Sequence, residues 1–245
     1  MADGSEFVKR YDAMMLSDDM RALYGSDFYN VGLWRPGIAE LKDACAALVE
    51  AHAQLIEKVR TPTGLVLDVG CGLGAGSELL STRWPAAGIL GVNLSASQLS
   101  IARRRHAPAQ FCLMDATRLA VADETIEAIV SVEAALHFSS RAAFLAEARR
   151  VLKPGGRLAL SDILFDYPDR IGLWQTPEGA GPADLSTYDA LCRDAGFEVE
   201  CLDDIVQSTW CGFCHHLSAH AQMQGLAQAL QPAARSYVLA LLRRR

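Results

Sequence analysis

Short apolar runs alternate with longer amphipathic segments from about residue 65 onward. Strands that are covered by helices on both faces are almost continuously apolar, and the short runs have that character. They predict strands at Leu65–Val69, Gly88–Leu94, Gln110–Met114, Ile126–Val132, Arg157–Asp162, near Phe197–Leu202 and near Tyr237–Leu242. The amphipathic segments predict helices at Gly76–Arg83, Ala96–His106, Arg141–Leu152, around Leu185–Ala195 and around His215–Leu230. Such alternation is typical of βαβ crossovers and a mainly parallel sheet.

The first 60 residues have a different pattern. Apolar residues fall at helical spacing between Phe7 and Met15 and again between Glu40 and Val59. The run between them, residues 28–37, is rich in aromatic residues and chain breakers and predicts a loop. We find no internal repeat and no low-complexity linker. The pattern therefore predicts one domain at 61–245, preceded by a helical lid segment at 1–60.

Composition narrows the class of protein. The chain has 245 residues, of which 51% are hydrophobic and 21% charged, and this balance excludes a disordered protein. No uncharged apolar run approaches the roughly 18 residues of a membrane span, and the first residues lack the apolar region of a secretory signal. The net charge of −6 disfavours a nucleic-acid partner. Seven scattered cysteines favour reduced thiols and a cytoplasmic location. The oligomeric state stays open, with a homodimer among the options.

A glycine-rich turn follows the first predicted strand in the run DVGCGLG at 68–74. Glycines at such a turn let a ligand approach backbone N–H groups closely. Asp68 lies where a dinucleotide-binding fold receives an anionic pyrophosphate, so it favours a positively charged ligand and disfavours an NAD(P)-dependent dehydrogenase. The run lacks the Gly-Lys-Ser/Thr ending of a P-loop. A structural turn that binds nothing is the alternative.

The turn resembles the glycine-rich motif of class I S-adenosylmethionine-dependent methyltransferases. The run VLKPGGRL at 151–158 is similar to the signature that precedes the fifth strand in that family, and AGFEV at 195–199 resembles the start of the sixth. The resemblance covers roughly residues 60–242. It implies an α/β, Rossmann-like, seven-stranded and mostly parallel sheet with helices on both faces. The implied strand order is 3-2-1-4-5-7-6, with strand 7 antiparallel, and the implied cofactor is S-adenosyl-L-methionine, which leaves as S-adenosyl-L-homocysteine.

The end of the second strand departs from the common family pattern. Most members place a glutamate or aspartate there to accept both ribose hydroxyls, whereas this chain has Asn93, followed by Gln98. The variant resembles a branch that contains cyclopropane fatty acid synthases, mycolic acid modifying enzymes and natural-product methyltransferases. In that branch a neutral polar residue and the later glutamine share the ribose, and amide side chains can both accept and donate. The alternative places Gln98 on a solvated helix surface.

The resemblance implies further cofactor contacts. Asp115 would accept from the adenine amino group, although its position also suits a helix cap. The run YNVGLW at 29–34 resembles the lid segment of the same branch, in which the leading aromatic residue and the next polar residue reach the methionine portion. Trp34 suits two alternatives equally, stacking over the cofactor or substrate and packing in the core. The implied cofactor set is Tyr29, Asn30, Asp68, Gly70, Cys71, Gly72, Gly74, Asn93, Leu94, Gln98, Met114, Asp115, Ala116 and Glu133.

Glu133 and His137 follow the fourth predicted strand, at the position that lies beside the transferred methyl group in the family. They are four residues apart, so they share a face if this segment begins a helix. The ordinary pKa of histidine suits proton removal near neutrality, which makes His137 the candidate base. Glu133 would orient His137 or contact the cofactor. A structural histidine is the alternative.

The run CGFCHH at 211–216 also has the pattern of haem attachment and of metal-binding clusters. Covalent haem belongs to exported proteins, and no second Cys-x-x-Cys supplies zinc ligands. We therefore expect a structural or substrate-lining role and no bound metal. The arginine runs at 103–105 and 243–245 are expected to be solvated.

The predicted function is methyl transfer to an O, N or C atom of a small, mostly apolar or aromatic metabolite in natural-product biosynthesis. The first 60 residues and the 163–186 stretch suffice to cover a pocket but not to form a macromolecule-binding domain. The alternative is a catalytically silent S-adenosylmethionine-binding subunit that supports a partner enzyme.

Overall fold

The computed structural model describes residues 4–106, 109–166, 177 and 181–245. The middle of the predicted 163–186 covering stretch lies outside these residues. The helices are α1 (Gly4–Met15), α2 (Asp18–Tyr24), α3 (Leu41–Glu57), α4 (Ala75–Arg83), α5 (Ala96–Arg105), α6 (Arg141–Val151), α7 (Leu185–Asp194), α8 (Trp210–Ser218) and α9 (Gln224–Leu230). The strands are β1 (Leu65–Val69), β2 (Gly88–Asn93), β3 (Gln110–Leu113), β4 (Ile126–Ser131), β5 (Leu152–Phe165), β6 (Phe197–Asp204) and β7 (Ala234–Arg244).

The described strands form one sheet in the order β3-β2-β1-β4-β5-β7-β6. Strand β7 pairs antiparallel with β5 and β6, and the other neighbouring pairs are parallel. The strand order reverses between β1 and β4, which is where open α/β sheets bind ligands at the carboxyl ends of their strands. The predicted fold class is confirmed.

Alternation along β1 shows how the sheet is buried on both faces. Leu67 points into a core shared with Phe144 of α6, whereas Val66 points into a core shared with Val49 of α3 and Trp84 of α4. All five side chains are at most 2% exposed. Successive side chains of a strand point to opposite faces, so a continuously apolar strand needs helices on both sides.

The packing divides the first 60 residues into two parts. Helix α3 packs against β4, β5 and β7, so it forms part of the layer on one face of the sheet. The segment before it supplies Tyr24 and Val31 to a separate apolar core that also holds Phe213 of α8 and Leu230 of α9. The domain boundary at residue 60 stays a prediction, with α1, α2 and the following loop as the portion beside the strand ends.

The single helix predicted around His215–Leu230 is wrong. Helix α8 begins at Trp210 and ends at Ser218, and α9 begins only at Gln224, after a 3₁₀ turn at Ala221–Met223. The break lets α9 fold back, so that the indole of Trp210 donates to the carbonyl of Leu230 at 3.0 Å. A single straight helix from Trp210 to Leu230 would hold these two buried residues about 30 Å apart.

The predicted bounds of the fifth and last strands are too short. Strand β5 begins at Leu152, with irregular pairing before Arg157, and both β5 and β7 extend beyond the predicted ends to pair Phe165 with Ala234. The antiparallel partner supplies these additional hydrogen bonds, and local apolarity does not report them.

In the described part of the chain, no helix is long and apolar enough to cross a membrane.

Candidate active site

The glycine-rich turn after β1 combines tight packing with one open side. Gly70, Gly72 and Gly74 have φ of 81°, 54° and 94°, values that favour glycine. A Cβ on Gly70 would lie 2.4 Å from the Cβ of Ala134, whereas a Cβ on Gly72 would meet no atom within 4 Å. The N–H of Gly70 donates to the carbonyl of Val92 at 2.8 Å, which fixes the turn against β2. The turn therefore leaves free space at Gly72.

Asp68 is the last residue but one of β1, beside this turn, and is only 4% exposed. The hydroxyl of Ser77 on α4 donates to its Oδ2 at 2.6 Å. Burial raises the pKa of Asp68 to about 6, and the bond from Ser77 opposes that rise. Burial likewise raises the pKa of the Cys71 thiol, so this thiol is protonated at neutral pH. A positive ligand beside Asp68 would restore the preference for the ionised carboxylate.

The polar side chains at the end of β2 form a connected network. The Asn93 amide donates to Gln98 Oε1 at 2.9 Å and to the Gly72 carbonyl at 3.3 Å. Gln98 in turn donates through Nε2 to Asp12 of α1 at 2.9 Å, and Ser95 Oγ donates to the same carboxylate at 2.8 Å. Gln98 is 4% exposed, so the solvated-surface alternative for it is wrong.

The end of β3 lies next to this network in the sheet. Asp115 accepts from the N–H and the hydroxyl of Thr117 at 2.8 and 2.7 Å in a turn, and no helix begins there, so the helix-cap alternative is wrong. Asp115 is exposed, Met114 is half-buried and Ala116 is buried. The second carboxylate oxygen of Asp115 is available to a ligand at this edge of the sheet.

Two leucines expose apolar surface beside the same strand ends. Leu94, one of the predicted cofactor contacts, is 42% exposed, and Leu113 at the end of β3 is 53% exposed. The neighbouring register pair Asn93 and Leu113 brings the two strand ends together. A flat apolar ring that covers these leucines would remove their surface from water.

Glu133 follows β4 in a left-handed conformation (φ 51°) that is uncommon for a residue with a side chain. It is 8% exposed, and its Oε2 accepts from the N–H of Val31 at 2.9 Å and the hydroxyl of Tyr237 at 2.7 Å. Its own N–H donates to Ser161 Oγ at 3.0 Å. Burial raises the pKa of Glu133 to about 7, despite these donors. The sheet and the loop before α3 thus hold the strained backbone of Glu133 and its buried carboxyl group in place.

The expectation that Glu133 and His137 share a helix face is wrong, because a 3₁₀ turn covers only Ala135–His137 and Glu133 lies before it. The two side chains nevertheless line the same cavity. The His137 ring packs against Tyr11 and Phe7 of α1, with centroid distances of 4.8 and 6.2 Å. The tertiary fold brings the pair together by a route other than helical periodicity.

The cavity beside Glu133 and His137 has a volume of about 40 Å³, which is room for a few water molecules. Its wall is mainly apolar and comes from α1, α2, α8 and α9. The lining residues are Tyr11, Met14, Met15, Met20, Leu23, Tyr24, Tyr29, Glu133, His137, Phe213 and Leu226. An organic substrate of any size therefore requires α1 and α2 to move.

The loop before α3 places Tyr29 and Asn30 differently. The hydroxyl of Tyr29 is buried and has no hydrogen-bond partner, although buried hydroxyls normally have one. The Asn30 side chain accepts from the N–H of Gly32 at 2.9 Å and donates to the carbonyl of Cys45 at 3.4 Å. Of these two predicted ligand contacts, Tyr29 has an unused polar atom and Asn30 holds the loop together.

Trp34 packs on α8. Its ring stacks on His216 with a centroid distance of 4.8 Å, and a Cβ on Gly212 would lie 2.5 Å from the indole. This supports the core alternative for Trp34.

In the described residues no group of His, Cys, Asp and Glu is arranged to hold a metal ion, and Cys211 and Cys214 are free thiols.

Comparisons with known proteins agree with this architecture. Residues 67–160 match the family model described as a methyltransferase domain. The chain is 34% identical over 225 residues to erythromycin 3''-O-methyltransferase of Saccharopolyspora erythraea, covering 80% of this chain and 71% of that protein. It is 31% identical over 219 residues to 27-O-demethylrifamycin SV methyltransferase of Amycolatopsis mediterranei, covering 84% and 78%.

The chain belongs to the S-adenosylmethionine-dependent methyltransferase family. The solved geranyl diphosphate C-methyltransferase of Streptomyces coelicolor, in complex with S-adenosyl-L-homocysteine, has the same fold (TM-score 0.79, 16% identity, covering 98% of this chain and 97% of that chain). The present chain uses S-adenosylmethionine as its cofactor.

The residues of this methyltransferase fit that cofactor. The unpartnered hydroxyl of Tyr29, the free space at Gly72 and the exposed Leu94 are the features that a polar ligand with one flat apolar ring would satisfy. The buried Asp68 adds a carboxyl group that suits positive charge. They lie along the carboxyl ends of neighbouring strands β1 and β2 and in the loop that bonds to Glu133.

A larger groove of about 560 Å³ lies elsewhere on the methyltransferase and is lined by residues of α4 and the 26–28 segment. Three of its polar side chains pair with one another, since His106 bridges Asp27 and Glu78 at 3.0 and 2.8 Å. None of the predicted site residues lines it. The smaller cavity is the candidate active site, because Glu133 with its positive φ and Tyr29 with its buried, unpartnered hydroxyl both line it.

Sequence reasoning missed several residues that contact the candidate site. Tyr11 and Asp12 come from α1, and Ser161 and Tyr237 come from β5 and β7. Each contacts a site residue that is distant in the sequence, and a single sequence carries no local signal for such a contact. Ser95 was recognisable only as the first capping residue of α5, where it accepts from the N–H of Gln98.

Proposed function

We propose that this enzyme methylates a hydroxyl oxygen of a small, mostly apolar natural product. The observation that carries the proposal is the cavity in which His137 and Glu133 form the polar end of a wall of methionine, leucine and aromatic side chains. Relatives named for O-methylation of erythromycin and of a rifamycin support an oxygen acceptor over nitrogen or carbon. The apolar wall would hold the body of the substrate and direct its hydroxyl toward His137.

The proposed cofactor site runs along the strand ends. Tyr29 would donate its hydroxyl to the methionine portion, and Asp68 would face the positive charge of the cofactor. Gly70, Cys71, Gly72 and Gly74 would form the turn against which the cofactor lies, and Asn30 would support Tyr29. Asn93, Leu94 and Gln98 would surround the ribose, and Met114, Asp115 and Ala116 would surround the adenine.

When bound, S-adenosylmethionine supplies a methyl group that is already activated by a positively charged sulfur. A ring nitrogen of His137 would accept the hydroxyl proton as the hydroxyl becomes a methyl ether. Glu133 would hold the 29–33 segment and Tyr237 in register through its two hydrogen bonds. Helices α1 and α2 would exclude water, and positioning of this kind supplies roughly 7–11 kcal/mol of barrier reduction in well-oriented reactions.

The test combines cofactor binding with turnover. His137→Ala is expected to keep the calorimetric Kd for S-adenosylhomocysteine and lower kcat by about 100-fold or more. Asp68→Ala is expected to weaken binding of the same ligand at least tenfold. His215→Ala, an exposed histidine on α8, is the matched control and should leave both unchanged. Turnover is followed as S-adenosylhomocysteine formed with a panel of hydroxylated compounds that begins with 27-O-demethylrifamycin SV.

Three outcomes contradict the proposal in different ways. Cofactor binding without methylation of any panel member would favour the silent binding subunit. Methylation at nitrogen or carbon, located by mass spectrometry, would refute the oxygen acceptor. An unchanged kcat for His137→Ala would remove the base.

A further inference from the structure

The hydrogen bonds at the end of β2 leave Asn93 little capacity for a ligand. Both amide hydrogens of Asn93 are directed at protein acceptors, Gln98 Oε1 and the Gly72 carbonyl. Its Oδ1 accepts from the N–H of Leu94 at 2.7 Å and of Ser95 at 3.4 Å. An amide has two donor hydrogens and two acceptor lone pairs, so this amide is fully used within the protein.

Gln98 and Asp12 retain capacity at the same edge. Gln98 uses one amide hydrogen toward Asp12 and one lone pair toward Asn93, which leaves one hydrogen and one lone pair. Each carboxylate oxygen of Asp12 accepts one described bond, from Ser95 or from Gln98, and an ionised carboxylate accepts about four. Most of the acceptor capacity beside β2 therefore comes from α1.

The chemistry of a ribose diol makes this distribution significant. Each hydroxyl must give its hydrogen to an acceptor, and a carboxylate accepts more strongly than a neutral amide. β2 ends in an asparagine rather than an acid, but the tertiary structure brings the carboxylate of Asp12 to the first turn of α5, beside it. Ser95 and Gln98 hold that carboxylate from two sides, which fixes its position.

We propose that Asp12 of the N-terminal helix is the carboxylate that binds the ribose diol of the cofactor, together with Gln98, while Asn93 only positions Gln98. The inference rests on the cofactor site proposed above. It assigns α1 a second role besides covering the substrate: its Tyr11 contacts the His137 ring while the adjacent Asp12 contacts the ribose end. Closure of α1 would then depend on bound cofactor, and cofactor affinity on a closed α1.

The test measures calorimetric Kd values for S-adenosylhomocysteine and for its 2′-deoxy and 3′-deoxy analogues. Asp12→Asn keeps the size of the side chain and removes the charge. The substitution is expected to raise the Kd for S-adenosylhomocysteine about tenfold or more, because hydrogen bonds to charged groups are stronger than those to neutral groups. Asp19→Asn removes one exposed charge from α2 and is the matched control, with a Kd within twofold of wild type.

The analogues separate a direct contact from a structural role of α1. Wild type should lose affinity for at least one deoxy analogue, and Asp12→Asn should bind that analogue and S-adenosylhomocysteine about equally. If Asp12→Asn lowers the affinity for all three ligands by the same factor, or lowers the affinity for none of them, the proposal is overturned. Failure of wild type to bind S-adenosylhomocysteine would instead overturn the cofactor site, and melting temperatures show whether each variant is folded.

Discussion

Glu133 offers the most direct test of the electrostatics of the site. Its carboxyl group is buried between the sheet and the 29–33 segment, with Val31 and Tyr237 donating to the same oxygen. Glu133→Gln keeps the shape and an oxygen that accepts both bonds, and it removes the ionisation. The variant therefore isolates the cost of burying this charge in the cofactor-free protein.

The direction and size of the expected change in the free energy of unfolding follow from the pKa of Glu133. Burial raises the pKa of Glu133 from an ordinary 4.5 to about 7. Below pH 4.5 the group is protonated in both the folded and the unfolded chain and has no effect on stability. Between pH 4.5 and 7 only the unfolded chain ionises, so the free energy of unfolding falls as pH rises. The full loss is roughly 3 kcal/mol, and most of it accrues between pH 5 and pH 8.

The assay is urea unfolding of the cofactor-free protein at several pH values, followed by fluorescence of the four tryptophans. Other groups also titrate: the raised pKa of Asp68 acts in the same direction as that of Glu133, and the lowered pKa of buried His52, about 4, acts oppositely. These contributions cancel when Glu133→Gln is compared with wild type at each pH. The free energy of unfolding of the variant should rise by roughly 2–3 kcal/mol relative to wild type between pH 5 and pH 8.

Glu124→Gln is the matched control, because Glu124 also has a positive φ (56°) but is exposed. Glu124 is exposed where it pairs with Arg244, so its substitution should change the free energy of unfolding by at most about 1 kcal/mol at each pH. A flat difference for Glu133→Gln would refute the reasoning. It would mean that water reaches the Glu133 carboxylate in solution.

Two further predictions concern stability. Gly70→Ala should lower the free energy of unfolding by about 2–4 kcal/mol, because its Cβ has no room and its φ is positive, whereas Gly72→Ala carries only the positive φ and should cost about 1 kcal/mol. Equal losses in urea unfolding would contradict this difference. Arg141→Met should cost about 3–5 kcal/mol, since it leaves the buried Asp162 without its bidentate partner. Arg193→Met, in an exposed pair, should change stability little, and a similar loss in both variants would refute the role of burial.

The sequence by itself determined the sheet and the glycine-rich turn of the candidate cofactor site. The central strands are almost continuously apolar, so their positions follow from local composition once helices cover both faces. The turn at 68–74 was recognisable because Gly70 and Gly74 are required there by backbone conformation and close packing, and both constraints act within a few residues. The carboxyl ends of β1 to β4 then had to lie together, because parallel neighbours align their ends.

Only the tertiary structure decided how the site is completed. Asp12 reaches Gln98 across 86 positions and Glu133 reaches Tyr237 across 104, and neither contact produces a period or a spacing that a single sequence shows. The backbone at Glu133 takes its left-handed conformation because Ser161 and the surrounding bonds hold it, and a helical reading of 133–137 failed for that reason. Local patterns record which face of an element is buried. The partners that satisfy a buried polar group are set by packing between distant elements, and the same packing buries Glu133 and raises the pKa of its carboxyl group.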